Sequence, residues 1–482
     1  MNLVSLIEEA ALNFAERPAL ISENQCISYH QLNRLVNSVA HLLKKTGIKK
    51  DDKIALMLPN IPEFVYSYFA AVKLGAVAVT LNTSSTAHEL SYFLENSEAK
   101  VLITMESARK RYEEIQDRLS TCKTLINVDS SPSLKRALAE GPFANPSIPI
   151  DPDDPAVMIY TSGLTGKPLG AVLTHRNLNS QSRLILSLVQ RTPSDKGLSL
   201  IPLFHSFGAT ANMIAIMRAG CSVVMMDRFT MDGLFSTIQK ERITYFCAVP
   251  RLFLGMMFYE GATGYDISCL NVCITGGSPM PADFIPAFEK QFGVKILEGY
   301  GLTEASPVCT FTRTDKIRKP GSIGTAIPNT IIKIVDEAGS ELPRGEIGEL
   351  IVHGENVMKG YYNDGAATAS VIKDGWLYTG DLGKMDQDDY IFLTGRKKRM
   401  IITSGFNVYP REVENVLNQH PAVQASRVVA KEDLMRGEIV RAEIVKKDGV
   451  LIDDKEILKH CRIYLSSYKV PREVEFVTKI QI

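Results

Sequence analysis

KIALMLPNIPEFVYSYFAAVKLGAVAVTLN, residues 53–82, decides the fold class. Residues 53–58 form a short apolar run of strand length. Asn60-Ile61-Pro62 then opens a helix, with proline in the first turn, where a missing N–H leaves no helical bond unmade. Val65, Tyr68, Phe69 and Val72 recur at helical spacing, Gly75 stops the helix, and 76–81 is a second apolar strand. Strand, crossover helix and strand make one βαβ unit, which lays its two strands side by side in parallel.

The same alternation continues along the chain. Segments 101–104, 124–128, 157–160, 222–226, 244–249, 272–274 and 295–297 read as strands, and helical stretches lie between several of them. Many are apolar throughout, as strands covered on both faces must be. From about residue 320 the pattern changes. IIKIVDEAG, GEIGELIVHG, GWLYTGDLG and DYIFLTGR are short strands joined by Gly- and Asp-rich turns, with no room for crossover helices. After Gly395 it changes again: helices at 410–417 and 453–464 accompany strands at 425–430, 438–445 and 473–477. The expected architecture is therefore α/β. A large N-terminal domain, 1–397, is built of parallel-rich βα layers, with a small antiparallel β subdomain over about 320–397. A small α+β C-terminal domain, 398–482, follows the charged joint GRKKR at 395–399.

At 482 residues the chain is too long for one ordinary domain, and 45% hydrophobic with 22% charged residues is the composition of a globular protein. Lys plus Arg equals Asp plus Glu at 54 each, so no global field draws it to nucleic acid or an anionic membrane, and no nucleic-acid partner is expected. No apolar stretch reaches the ~18–20 residues of a membrane-spanning helix. The start, MNLVSLIEEAALNFAERPAL, carries acids within its apolar run and reads as an amphipathic helix ending near Glu16-Arg17-Pro18, not a secretory leader. Eight cysteines with no CxxC pair suggest free thiols in a reducing compartment, hence a cytoplasmic protein.

YTSGLTGKPLGAVLTH, residues 160–175, has the chemistry of a phosphate loop. Gly163 and Gly166 can take positive φ and bring backbone N–H groups to an anion. Thr161, Ser162 and Thr165 add hydroxyls, and Lys167 adds charge. It is not a Walker A loop: the spacing is wrong, and Pro168 disfavours a helical Lys167. A loop closing over phosphates from outside fits better, with an ordinary Gly/Ser/Thr turn as the competing reading. EGYGLTEASP (298–307) offers Tyr300 to stack on a base, Thr303 for phosphate, and Glu304 as a lone carboxylate for Mg²⁺. YTGDLG (378–383) offers Asp381, whose two acceptors suit a ribose diol, and Arg396 in TGRKKRM could meet ribose or phosphate. Each alone could be a solvated turn.

Order and spacing together are more specific. YTSGLTGKPLGAVLTH, PLFHSFG (202–208), GGSPMP (276–281), YGLTE (300–304), GWLYTGD (375–381), GRKKRMI (395–401) and GFNVYPREVE (405–414) make the chain resemble the adenylate-forming superfamily of acyl-CoA synthetases, luciferases and adenylation domains, nearest to the fatty-acid acyl-CoA ligases. The resemblance implies activation of a carboxylic acid with ATP and Mg²⁺ to acyl-AMP, then transfer to coenzyme A. It places Thr161–Lys167 on the β- and γ-phosphates and Glu304 on the metal. Gly277, Ser278 and Tyr300 surround the adenine, Gly301 belongs to the cofactor-binding set, and Thr303 stands at phosphate, with Asp381 and Arg396 at the ribose. His205 lines the acyl pocket or gates the thiol, Lys398 is the hinge of a mobile C-terminal lid, and Ser404 and Gly405 border the pantetheine path. Amino-acid-activating relatives carry an acid after the aromatic motif, whereas FHSFGATANMIAIM (204–217) has none, which favours an uncharged acid, and among those a fatty acid.

The sequence also departs from the family pattern. Leu164 stands where Ser or Thr is usual and Leu169 where Lys is usual. The residues given end at VTKIQI, before the Pro-Lys-Thr…Gly-Lys stretch whose lysine serves adenylation in relatives, so the lid reads as truncated. Adenylation is therefore expected to be impaired. An acyl-carrier-protein ligase and a non-catalytic acyl-adenylate-binding protein are the alternatives.

Overall fold

The structure is a computed structural model that describes residues 2–162, 167–226, 228–278, 280–281, 283–313, 315–397, 400–447 and 449–480. Residues 53–82 fold as the βαβ unit. Strands Lys53–Met57 and Val77–Thr80 pair in parallel, with Lys53 opposite Val77, and helix Pro62–Lys73 crosses between them. Proline occupies the first turn of that helix, and Gly75 follows it at φ +65°. Val65, Tyr68, Phe69 and Val72 are all fully buried, and of the whole helix only Glu63 is not buried. A helix apolar on nearly every face belongs inside a layered core rather than at its rim.

This unit belongs to a seven-stranded sheet. Its strands Pro155–Ser162, Val77–Thr80, Lys53–Met57, Ala99–Thr104 and Thr124–Asn127 run in parallel, and Pro168–Thr174 and Gly360–Tyr361 add an antiparallel edge. A nine-stranded sheet lies alongside. Its parallel centre runs Lys295–Gly301, Val272–Thr275, Tyr245–Ala248, Lys196–Ser199, Ser222–Met225 and Pro18–Ser22. The strands Val77–Thr80, Tyr245–Ala248 and Val272–Thr275 are buried at every residue, as their apolar sequences require. Burying one side chain of the size of Phe69 stabilises the fold by about 1.5–3 kcal/mol.

A five-stranded antiparallel sheet holds Thr330–Val335, Gly348–Gly354, Trp376–Met385 and Ile391–Arg396. One helix, Gly365–Val371, interrupts this stretch where the turn-rich sequence left no room for helices; it is seven residues long and capped by Asp364. A fourth sheet, from Ile401–Thr403 to Glu473–Phe476, carries helices Pro410–Leu417 and Asp454–Tyr464. The N-terminal helix, Leu3–Asn13, stops earlier than its sequence suggests, and Pro18 already opens a strand. All eight cysteines are free, and among the described residues no helix is long and apolar enough to cross a membrane.

The fourth sheet's layer docks on the rest through a buried ion cluster. Lys469 Nζ lies 2.8 Å from Glu89 and 2.7 Å from Glu412, with all three side chains less than a tenth exposed. Ser466 donates to the same Glu89 carboxylate. Glu89 also closes a capping box: its Oε2 accepts the Thr86 N–H at the start of helix Ala87–Asn96, while Thr86 Oγ1 accepts the Glu89 N–H. The two carboxylates hold Lys469 charged despite its burial, keeping its pKa above the ordinary lysine value.

Candidate functional site

The seven-stranded sheet presents the phosphate-loop residues as a hairpin. Pro155–Ser162 and Pro168–Thr174 pair antiparallel, with Thr161 opposite Leu169. Leu169 is therefore a strand residue, half-buried and facing a cavity, and not part of a free loop. Gly163, Leu164, Thr165 and Gly166 lie outside the described residues, as does Lys398; Ser162 ends the first strand. Lys167 is exposed and does not line the cavity.

That cavity, of about 580 Å³, is where the separate motifs meet. Thr161, Glu304, Tyr300, Asp381 and Arg396 all line it, although up to 235 residues separate them in sequence (161 to 396). Thr161 Oγ1 donates to Glu304 Oε1 at 3.0 Å, and Tyr361 OH donates to the same oxygen at 2.8 Å. Among the described residues Glu304 Oε2 has no hydrogen-bond partner. Tyr300 OH donates to Asp381 Oδ2 at 2.6 Å, and Arg396 Nε donates to Asp381 Oδ1 at 2.7 Å. Burial and the Asp381 charge push the Tyr300 phenol well above its ordinary pKa, so it stays a donor.

Two local features bear on the sequence reading. YTGDLG lies in a strand, as read, the ten-residue Trp376–Met385, and Asp381 is the cross-strand partner of Arg396. Tyr300 belongs to a strand that runs on to Gly301, four residues beyond the expected end. Gly301 permits this, because a Cβ there would come within 1.7 Å of the Pro307 carbonyl oxygen.

The remaining predicted residues divide. Gly277, Ser278, Gly301, Thr303, His205 and Gly405 line the cavity. Ser404 stands outside the cavity lining, its Oγ accepting from Arg251 at 2.9 Å across the junction between the fourth sheet and the large domain. Gly405 has φ +85°, and a Cβ there would lie 2.6 Å from Val249 Cγ1, so glycine lets the two layers touch. His205 starts a short helix, its Nδ1 accepting the Phe207 N–H at 3.2 Å, which places the neutral ring's proton on Nε2. Burial lowers its pKa to about 4, so the ring is uncharged at neutral pH.

Several lining residues were not found from sequence. Tyr361 and Tyr409 close the cavity beside Glu304, and Glu298 lies beside the Gly276–Ser278 turn. Burial raises the Glu298 carboxyl to about 7. Ile185, Ala211, Val308, Phe311 and Ile323 make an apolar wall to the same cavity. Polar donors, a lone carboxylate and an apolar wall in one cavity form a site that can hold a nucleotide against an apolar acid.

Comparison with known proteins agrees. The family model "AMP-binding enzyme" matches residues 7–362, and "AMP-binding enzyme C-terminal domain" matches 412–482. The chain belongs to the AMP-binding, adenylate-forming enzymes. Within that family it groups with the acyl-CoA ligases. A putative acyl-CoA synthetase of Bacillus subtilis is 36% identical, over 98% of this chain and 92% of the relative. A long-chain-fatty-acid–CoA ligase of the same organism is 33% identical, over 98% and 90%. In structure, o-succinylbenzoate CoA synthetase from Bacillus subtilis, a double mutant bound to a product analogue, superposes with a TM-score of 0.88 at 29% identity, covering 99% of this chain and 95% of that one.

Proposed function

We propose that this AMP-binding enzyme is an ATP-dependent acyl-CoA ligase for an uncharged acid of the fatty-acid kind, and that its own phosphate-loop sequence slows adenylation. The observation that carries the reading is the convergence of Thr161, Glu304, Tyr300, Asp381 and Arg396 on one cavity with an apolar wall. In the first half-reaction a carboxylate oxygen attacks the α-phosphorus; a P–O bond forms and pyrophosphate leaves with the electron pair of the bond that breaks. Little covalent chemistry falls to the protein, which positions the reactants and neutralises charge. Asp381, held on one oxygen by Tyr300 and on the other by Arg396, keeps lone pairs free for a ribose diol. Thr161 turns its hydroxyl to phosphate.

Glu304 suits a divalent cation. Its Oε1 is fixed by two donors, while Oε2 is free of partners among the described residues. Among those residues no cluster of three or more ligating side chains exists, so phosphate oxygens and water would complete a Mg²⁺ shell. When bound there, the ion supplies positive charge to the phosphate oxygens.

In the second half-reaction the thiol sulfur attacks the acyl carbon and a C–S bond forms; AMP leaves with the electron pair of the C–O bond that breaks, and the thiol proton passes to solvent. His205, with Nδ1 occupied by a backbone N–H, presents an N–H rather than a proton acceptor, which suits a wall or gate and not a general base. Ser404 and Gly405 border the thiol's path, and the lid 398–482 turns about Lys398 between the half-reactions.

Leu169 is the reason for a slow first step. A cation replaced by an apolar side chain forfeits a charge-assisted contact of about 1.5–3 kcal/mol, roughly 10–150-fold. The test offers the chain a panel of fatty acids with ATP, and separately a supplied acyl-adenylate, scoring CoA thioester by mass spectrometry with carrier protein as a second acceptor. The reading calls for rapid thioester formation from acyl-adenylate with CoA and slow pyrophosphate release with ATP. Rapid pyrophosphate release removes the slow first step. No thioester from either route sinks the ligase and leaves a binding protein.

A further inference from the structure

We infer that Tyr361 is a positioning residue for adenylation, aiming the Glu304 carboxylate at the metal-bound phosphates. This rests on the reading of Glu304 given above. Tyr361 lies in no segment that points to nucleotide chemistry by its residues, yet three connections tie it to both halves of the phosphate site. Its hydroxyl donates to Glu304 Oε1 at 2.8 Å. Its strand, Gly360–Tyr361, pairs with Pro168–Thr174, placing Tyr361 opposite Ala171, two residues beyond Leu169 on the hairpin that carries Thr161. Just before it, the Met358 N–H donates to the Glu304 carbonyl at 2.8 Å, so main chain and side chain of Glu304 are both held by one segment.

The chemistry gives these contacts a direction. A carboxylate that must ligate with one oxygen is best fixed through the other, and Oε1 already takes two hydroxyl donors. Thr161 is the donor that phosphate can claim, because it sits on the phosphate hairpin itself. When Thr161 turns to phosphate, Tyr361 is the side-chain donor that still holds Oε1. The backbone at Tyr361 is itself held by Thr368, whose Oγ1 accepts the Tyr361 N–H at 2.9 Å and donates to the Asp364 carbonyl.

The test uses the full chain and calorimetric titration with ATP, with and without Mg²⁺, and with AMP alone. In the unaltered protein Mg²⁺ should tighten ATP binding. Tyr361→Phe should cut that metal-dependent gain by roughly 10–150-fold, the value of one hydrogen bond to a charged group, and should weaken AMP binding, which needs no metal, by a smaller factor. Thr368→Val, remote from the ligand, should move the Mg²⁺ curve the same way by a smaller factor, and it carries the test should Tyr361→Phe not fold. In a Glu304→Gln background neither change should have a further effect on the Mg²⁺ response. Equal losses for AMP and Mg²⁺-ATP, or an unaltered Mg²⁺ response, overturn the role of Tyr361. Absence of any Mg²⁺ gain in the unaltered protein overturns the Glu304 reading and this one with it.

Discussion

Arg396 faces Asp381 across adjacent strands in register, with Nε 2.7 Å from Oδ1, at the last strand residue before the joint with the fourth sheet. A backbone-set pair keeps its geometry whether or not a ligand is present, so under the proposed function the carboxylate would be ready for a ribose before nucleotide arrives.

Asp381→Asn tests that preparation. It keeps the shape but removes the charge that Tyr300 and Arg396 both address. AMP affinity should fall by roughly 10–150-fold. Calorimetry with AMP reads the change, and an unaltered Kd would remove Asp381 from the nucleotide site.

Leu169→Lys should speed pyrophosphate release by about tenfold or more, the value of one charge-assisted contact to phosphate. Leu169 is half-buried on the cavity wall, and a lysine stem can cover the same apolar surface while its ammonium reaches the cavity. Thioester formation from supplied acyl-adenylate should not change. A lysine variant no faster at pyrophosphate release would show that the loop sequence is not what limits the first step.

Lys469→Met leaves Glu89 and Glu412 buried without their cation. Removing one member of such a cluster costs about 3–5 kcal/mol. Chemical denaturation should show that loss, with the greatest gain in amide exchange along helices Ala87–Asn96 and Pro410–Leu417. Stability within 1 kcal/mol (roughly a fivefold change in the folding constant) would mean the cluster is solvated in solution.

Between about pH 4 and 7 stability should carry two slopes of opposite sign, from different groups. His175 and His205 titrate at about 4 when folded, below the ordinary histidine value of 6.5. Between those values the unfolded chain binds more protons, so their contribution is full above 6.5 and is lost as pH falls towards 4, by about 2 kcal/mol each at pH 5. Glu298 behaves oppositely. Its folded value of about 7 exceeds the ordinary 4.5, so stability is lost as pH rises from 4.5 through 7. Glu298→Gln should therefore stabilise the fold at pH 8 by about 1–3 kcal/mol and have little effect at pH 4.5. Melting curves across pH 4.5–8 check both slopes (about 1.4 kcal/mol per pH per proton); a Glu298→Gln effect independent of pH would contradict them.

The fold was legible where periodicity and punctuation are local. Pro62 and Gly75 bracket one helix, and Pro410–Leu417 starts and ends as its residues suggest. The site was legible where a motif brings its own chemistry, as with Glu304 and Asp381. It was not legible where a side chain gains its role from a partner far along the chain. Tyr361 reaches Glu304 across 57 residues, and nothing in KGYYND marks it. GWLYTGDLG reads as a strand and is one, but the register that sets Asp381 against Arg396 comes only from pairing with Ile391–Arg396.

Glu89 serves two masters: it seals the first turn of helix Ala87–Asn96 and it receives Lys469 from the far layer. Were that layer to swing away, as the proposed function requires, the carboxylate would lose its cation but keep the Thr86 amide, so the helix would not unravel. The departing piece would then leave behind an intact, negatively charged socket, and its return would need no refolding, only a lysine finding its way home.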